Sequence, residues 1–229
     1  MKISLILLFS CFLALNCQSK KDSLNNKFTG WTSHNLIGKV KEITIKSFKI
    51  DSIHNTKKQE GLYHKFEFST TGNELIYNIY DENDVLKFKS TPKYNNGKIV
   101  SSTIDNIEEK TTENWVIKKY LLDFYGGEIE CYIDNKLVKK VFNTINKKGH
   151  QTSLKVFSND NKILYEKSLE YDDRENLIKT TDNSYANDTV YSIKSSFIYT
   201  KFDKNNNWIE RTDKVDGKFL LTERSIVYY

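Results

Sequence analysis

One pattern recurs along this chain and limits what it can fold into. An aromatic or apolar residue is followed by a short polar run containing Asp, Asn or Gly, and then apolar residues resume. The copies are Phe68-STTGNEL, Tyr80-DENDVL, Tyr94-NNGKIV, Phe124-YGGEIE, Tyr132-IDNKLV, Phe157-SNDNKIL, Tyr171-DDRENLI, Phe202-DKNNNWI and Val215-DGKFL. Several successive copies stand about 12 to 14 residues apart, the spacing of a hairpin meander. Asn, Asp and Gly suit the turns because they tolerate positive φ, and Asn and Asp also bond to the local backbone. Between the turns apolar residues alternate: Ile43 and Ile45; His64, Phe66 and Phe68; Leu75, Tyr77 and Ile79; Trp115 and Ile117; Leu154 and Val156. A period of two is that of a strand with one buried face. The phase changes between Ile45 and Phe48, which predicts a bulge or a switch of face. Over Thr103 to Asn114 a short helix, a loop and a paired strand all stay open.

The expected fold is therefore all-β: an antiparallel meander of hairpin repeats forming one twisted or curled sheet, or two stacked sheets. About 14 to 18 strands of ordinary length are expected. The 14 Tyr and 13 Phe, set against a single Pro, favour strands over helices. The net charge of +5 is dispersed, as in KKDS, IEEK and YDDRE. Without clustered Lys and Arg or a recognised module, no nucleic-acid partner is expected.

The N-terminus is the most specific local signal. Lys2 precedes an almost unbroken apolar run from Ile3 to Leu15, which ends at Asn16-Cys17 before the polar QSKKDSLNNK. The run is shorter than the roughly 20 apolar residues of a spanning helix and reads as a secretory signal. Here the chain resembles a bacterial lipoprotein, whose lipobox ends in a Cys that is acylated after the signal is cut. It departs from the usual pattern in carrying Asn16 where a small residue is common. The resemblance covers residues 1 to 17 and implies a signal peptide over 1–16 and lipidation at Cys17; the polar, aperiodic stretch after it reads as part of a tether over 17–30, and the strand pattern as one β-repeat domain over 31–229. The resemblance also implies membrane contact through the lipid and a place in the cell envelope. Gln18, in place of Asp after the Cys, fits an outer membrane, with the protein facing the periplasm or the surface.

A second resemblance covers about residues 35 to 229. Tyr80-Asp81-Glu82-Asn83, Tyr171-Asp172-Asp173-Arg174 and Phe202-Asp203-Lys204-Asn205 are similar to the YD repeats of RHS-type proteins. The stretch Phe202-DKNNNWIERT through Gly217-KFLLTERSIVYY resembles the closing segment of many uncharacterised secreted or lipid-anchored proteins, with Asn206 where those usually carry Gly. What this implies is a repeat architecture without an activity.

Candidate sites are few. Asp203, Asn205 and Asn207 alternate as the first ligands of a calcium loop do. The sixth place, which needs Gly, holds Trp208, and the twelfth, which needs Glu, holds Lys214. A hairpin turn is the better reading. His34, His54, His64 and His150 form no metal-binding pair, and no nucleophile elbow, phosphate loop or CxxC is present. No catalytic residue, metal or cofactor is therefore assigned. Cys131 alternates with Ile129 and Ile133 and reads as a small buried hydrophobe. Trp31, Trp115 and Trp208 are the candidate ligand-contact aromatics, unless they simply pack the sheet. The expected function is a non-catalytic envelope module that binds a protein or glycan. An enzyme acting on envelope or extracellular polysaccharide, and a purely structural envelope protein, are the alternatives.

Overall fold

The computed structural model describes residues 29–51, 56–120, 126–146, 150–173, 176–186 and 189–229. The leader and Cys17 lie outside them. A one-turn helix, α1 (Gly30–Ser33), precedes fifteen strands. These are β1 (Val40–Asp51), β2 (Thr56–Gln59), β3 (Tyr63–Phe68), β4 (Glu74–Tyr80), β5 (Leu86–Asn95), β6 (Lys98–Asn106), β7 (Thr111–Tyr120) and β8 (Gly126–Ile133), then β9 (Lys136–Ile145), β10 (Gln151–Ser158), β11 (Ile163–Tyr171), β12 (Leu177–Ala186), β13 (Thr189–Phe202), β14 (Trp208–Val215) and β15 (Lys218–Tyr228).

Each strand from β3 onward pairs with its successor, and β15 pairs antiparallel with β1, from Val40 opposite Tyr228 to Phe48 opposite Leu221. The sheet is thus a closed barrel of 14 antiparallel strands. This corrects the expected open, twisted or curled sheet. The all-β, antiparallel meander order holds, but its two ends meet. Closure gives both edges of the meander a partner and leaves no long edge exposed. The short β2 extends the wall beyond β3. Both pair with the same side of β1, with Gly61 at φ +71 between them. The phase change near Phe48 marks the place where β1 exchanges one partner for the other. Over Thr103 to Asn114 the structure has paired strands, β6 and β7, joined by a turn.

The repeated turn has one geometry. In Ser69–Asn73, Asp81–Val85, Ser158–Lys162, Asp172–Asn176 and Asp203–Asn207, the first N–H donates to the fifth carbonyl at 2.8–2.9 Å. The side-chain oxygen of the first residue accepts from the fifth N–H. In four of these turns the fourth residue is left-handed: Gly72 at φ +85, Asp84 at +61, Asn161 at +62 and Asn206 at +64. Asn206 therefore does the work of a glycine. The two-residue tips Asn96-Gly97, Asp134-Asn135 and Asp216-Gly217 have positive φ at both residues, the conformation that matches strand twist in tight hairpins.

Strand alternation sends one side-chain set into the lumen and the other outward. Two apolar clusters fill much of the lumen. One gathers Ile104, Trp115, Ile129, Cys131, Val141, Leu154, Val156 and Tyr165, and the other Leu36, Val40, Ile43, Phe66, Phe68, Tyr77 and Ile79. Leu75, expected to share the buried face of Tyr77 and Ile79, is instead exposed, because the register shifts beside it at Phe68 and Glu74. The outward face carries charged pairs together with exposed apolar side chains, among them Phe142, Ile178, Val190, Ile198, Phe219 and Val227. Neighbouring strands are linked there by Lys65–Glu42 at 3.0 Å, Lys118–Glu130 at 3.2 Å, and Lys155–Glu166, Lys179–Glu170 and Lys201–Glu210 at 2.7 Å.

Residues 29–39 form a strap across the rim where β1 begins. Gly30 lies so close to the β3–β4 turn that a Cβ would stand 2.9 Å from Phe68, Gly72 and Glu74 atoms. Trp31 rests on Gly72, and its indole donates to the Val40 carbonyl at 2.6 Å. At the other side of the rim, Asn207 closes a reciprocal pair with Ile37. Its Oδ1 accepts from the Ile37 N–H at 2.7 Å, and its Nδ2 donates to the Ile37 carbonyl at 2.9 Å.

Candidate functional site

Below the strap, between the two apolar clusters, the lumen holds a cavity of about 350 Å³. Its wall is the arc from β11 through β15 to β1 and β3, roofed by His34. On β12 and β13 the inward positions include the small residues Thr180 and Ser195, flanked by Leu177, Ile193 and Phe197, whereas β7 to β10 place Trp115, Ile129, Val141 and Leu154 inward.

Two ion pairs cross the wall. Lys167 on β11 meets Asp182 on β12 at 3.2 Å, and Asp182 also accepts a short hydrogen bond from the Tyr165 hydroxyl. On β14, Arg211 pairs with Asp213: Nη2 donates to Oδ2 at 3.1 Å, and Nε lies 2.7 Å from Oδ1 as an ion contact without hydrogen-bond geometry. Asp213 also accepts from Thr222 at 2.8 Å, and the Thr222 hydroxyl lies 2.9 Å from that of Ser47. Burial works against the Arg211 charge, but Asp213 and Tyr199 together outweigh it and hold the guanidinium above its ordinary value.

Arg224 on β15 is different. It is only 7% exposed, and its Nε and Nη1 have no hydrogen-bond partner. One face of the guanidinium lies 3.7 Å from the centroid of the Trp208 ring, and Arg211 approaches the same ring at 4.8 Å. Burial, and then the neighbouring Arg211 charge, pull Arg224 down to about 9. It is still a cation at neutral pH.

His34 lies against Phe66 with centroids 4.2 Å apart, its Nε2 3.3 Å from Glu74 Oε2. Burial outweighs the pull of Glu74 and lowers the imidazole below 6.5. His34 is therefore neutral at pH 7.

The three tryptophans do not share a surface. Trp115 is buried in the core of the opposite half, where its indole donates to Glu113 at 2.8 Å and Lys139 sits 5.3 Å from its ring. Trp31 belongs to the strap. Of the three, Trp208 lines the cavity. Cys131 is fully buried, and burial pushes its thiol up. The turn Asp203–Asn207 is structural. Asp203 accepts from the N–H groups of Asn205 and Asn207 and from the Tyr228 hydroxyl, and Asn207 is held between Ile37 and Tyr228. No cluster of metal-binding side chains occurs among the described residues. Sequence reasoning passed over Arg211, Asp213 and Arg224. The available signal was parity: Thr222, Arg224 and Ile226 share one face of the last strand, so a charge there points the way an apolar residue does.

No family model matches this chain, and no curated protein does. Among solved structures, it is similar to a porin-like protein from Bacteroides uniformis ATCC 8492, with a TM-score of 0.52 and 10% identity over 82% of this chain and 96% of that one. It also overlaps chains of the TcdB2-TccC3-Cdc42 and TcdB2-TccC3-TEV structures, with TM-scores of 0.33 and 0.29, covering 11% of each. These two overlaps are too loose to bear on the fold. At 10% identity the porin-like neighbour shows a shared β-barrel fold alone.

Proposed function

We propose that this protein is a lipid-anchored envelope protein whose barrel stands in water and binds a small ligand in its lumen without transforming it. The observation that carries the reading is the cavity of about 350 Å³, which combines an aromatic wall with buried charges. Its size lies within the roughly 300–1,000 Å³ of ligand pockets. The carboxylates on its wall are engaged, Asp182 by Lys167 and Tyr165 and Asp213 by Arg211 and Thr222. That supports binding over acid–base chemistry, which needs a carboxyl group within reach of a proton to be moved.

The outward face supports the placement in water. A membrane-spanning barrel carries an apolar band about 25 Å tall, and Lys or Arg at its midplane costs about 2–4 kcal/mol each. Here Lys–Glu pairs such as Lys155–Glu166 and Lys179–Glu170 interrupt the apolar side chains of the outward face. Membrane attachment in this reading comes from acylated Cys17, in the segment that resembles a lipoprotein leader, and the YD-like units serve as architecture.

Two measurements test the reading. Labelled palmitate is expected on the wild type and not on Cys17→Ser, and label persisting in that variant refutes the anchor. Native mass spectrometry of protein purified from its own envelope is expected to show a small bound mass that is lost in Ser195→Phe, which fills the cavity. Unliganded protein in both, with no binding from a fragment set, refutes the lumen site.

A further inference from the structure

The cavity wall carries three cations, Lys167, Arg211 and Arg224, and two carboxylates, Asp182 and Asp213. The carboxylates form ion pairs with Lys167 and Arg211. Arg224 is left over, more than nine-tenths buried, with two nitrogens unpartnered. A buried cation without a counter-charge is among the more expensive arrangements a protein can hold. The Trp208 ring offsets part of the cost through its π face. It covers a face of the guanidinium, whereas the N–H groups point outward in the guanidinium plane. Asp203, at the rim, acts on Arg224 through space, its oxygens already taken by Tyr228 and the turn amides.

From this geometry we infer that the lumen site takes a small amphipathic anion, a single carboxylate on an apolar body, with the carboxylate on Arg224. The inference rests on the lumen-binding reading above and adds the chemistry of the ligand. One unpaired cation calls for one negative charge. The rest of the wall joins the apolar surface of Ile45, Phe66, Leu177, Ile193 and Phe197 to neutral hydroxyls such as Ser195 and Tyr199, and adds no further unpaired cation. Arg suits the task because its planar donors match a carboxylate and it keeps its charge when buried. Trp208 holds the guanidinium in place before the ligand arrives, which lowers the ordering cost of binding.

The test uses the full chain and two probes of one shape, 3-phenylpropanoate and its uncharged amide, 3-phenylpropanamide. Binding is followed by calorimetry and by tryptophan emission, since Trp208 lies on Arg224. The carboxylate is expected to bind the wild type at least about tenfold more tightly than the amide, the size of a charged hydrogen bond. Arg224→Met is expected to erase that preference, and Arg224→Lys to keep part of it. Equal binding of the two probes to the wild type, or a preference that survives in Arg224→Met, overturns the anion assignment and leaves the lumen reading standing. If neither probe binds the wild type, the anion assignment falls, and native mass spectrometry with the fragment set decides the lumen reading. Should Arg224→Met not fold, the wild-type comparison and Arg224→Lys decide the matter.

Discussion

At the scale of single residues, Arg224 is where this barrel accepts a cost. It is buried without a counter-charge beside a second guanidinium. Replacing buried ionic groups by apolar ones of similar size commonly stabilises by about 1–4 kcal/mol. Arg224→Met is therefore expected to raise stability by about 1–3 kcal/mol in urea unfolding. A clear loss of stability would mean that the stack on Trp208 outweighs the cost of burial. His34 gives a prediction of pH dependence. The fold holds its imidazole below the ordinary 6.5, while the unfolded chain restores that value. As pH falls through 6.5 the unfolded chain takes up the proton first, so stability present above that pH is lost below it. His34→Gln, scanned by calorimetry from about pH 7 to about pH 5, is expected to show a flatter decline than the wild type. An identical decline in both would assign the acid sensitivity to other groups.

At the scale of elements, the five-residue turn explains why the strands were legible in the sequence. Its first residue must be Ser or Asp to bond the fifth N–H, and its fourth must tolerate positive φ, as Gly72, Asp84, Asn161 and Asn206 do. Both demands leave marks in the composition, so hairpins can be located from residue types alone. The β3–β4 copy carries a further load, because Trp31 lies on Gly72. Gly72→Ala forces a side chain into a left-handed position and puts a Cβ 2.7 Å from the indole. A loss of about 1–3 kcal/mol is expected, together with faster hydrogen exchange at the Trp31 amide, which donates to the Gly72 carbonyl. Exchange at the tip of the distant Asp216-Gly217 turn should not change. Asn206→Gly, by contrast, should be nearly neutral, since the turn geometry is already the one glycine prefers. The candidate site was much less legible. Arg211, Asp213 and Arg224 come from β14 and β15, while Lys167 and Asp182 come from β11 and β12. The register that joins them is not written in any local stretch. Of the residues that line it, Trp208 was singled out beforehand, as one of the three candidate ligand-contact tryptophans with Trp31 and Trp115.

At the scale of the whole molecule, the ring itself was hidden from sequence reading. Nothing in Val40–Asp51 or Lys218–Tyr228 distinguishes two strands that meet from two strands at open edges, because alternation and polarity look the same in either case. The seam bonds Ser47 to Thr222 across 175 residues, and contacts so remote in sequence are slow to form. Time thus enters the description of this fold. During synthesis the first strand exists long before its last neighbour, and the unfinished sheet offers two hydrogen-bonding edges until the final 11-residue strand is made. A chain lacking residues 218–229 is expected to elute as large assemblies in size-exclusion chromatography, where the full chain elutes as one small species. A monomeric, folded truncation would show that the seam is dispensable. The consequence is a period of vulnerability. The barrel is safe from its own edges only once its end has found its beginning.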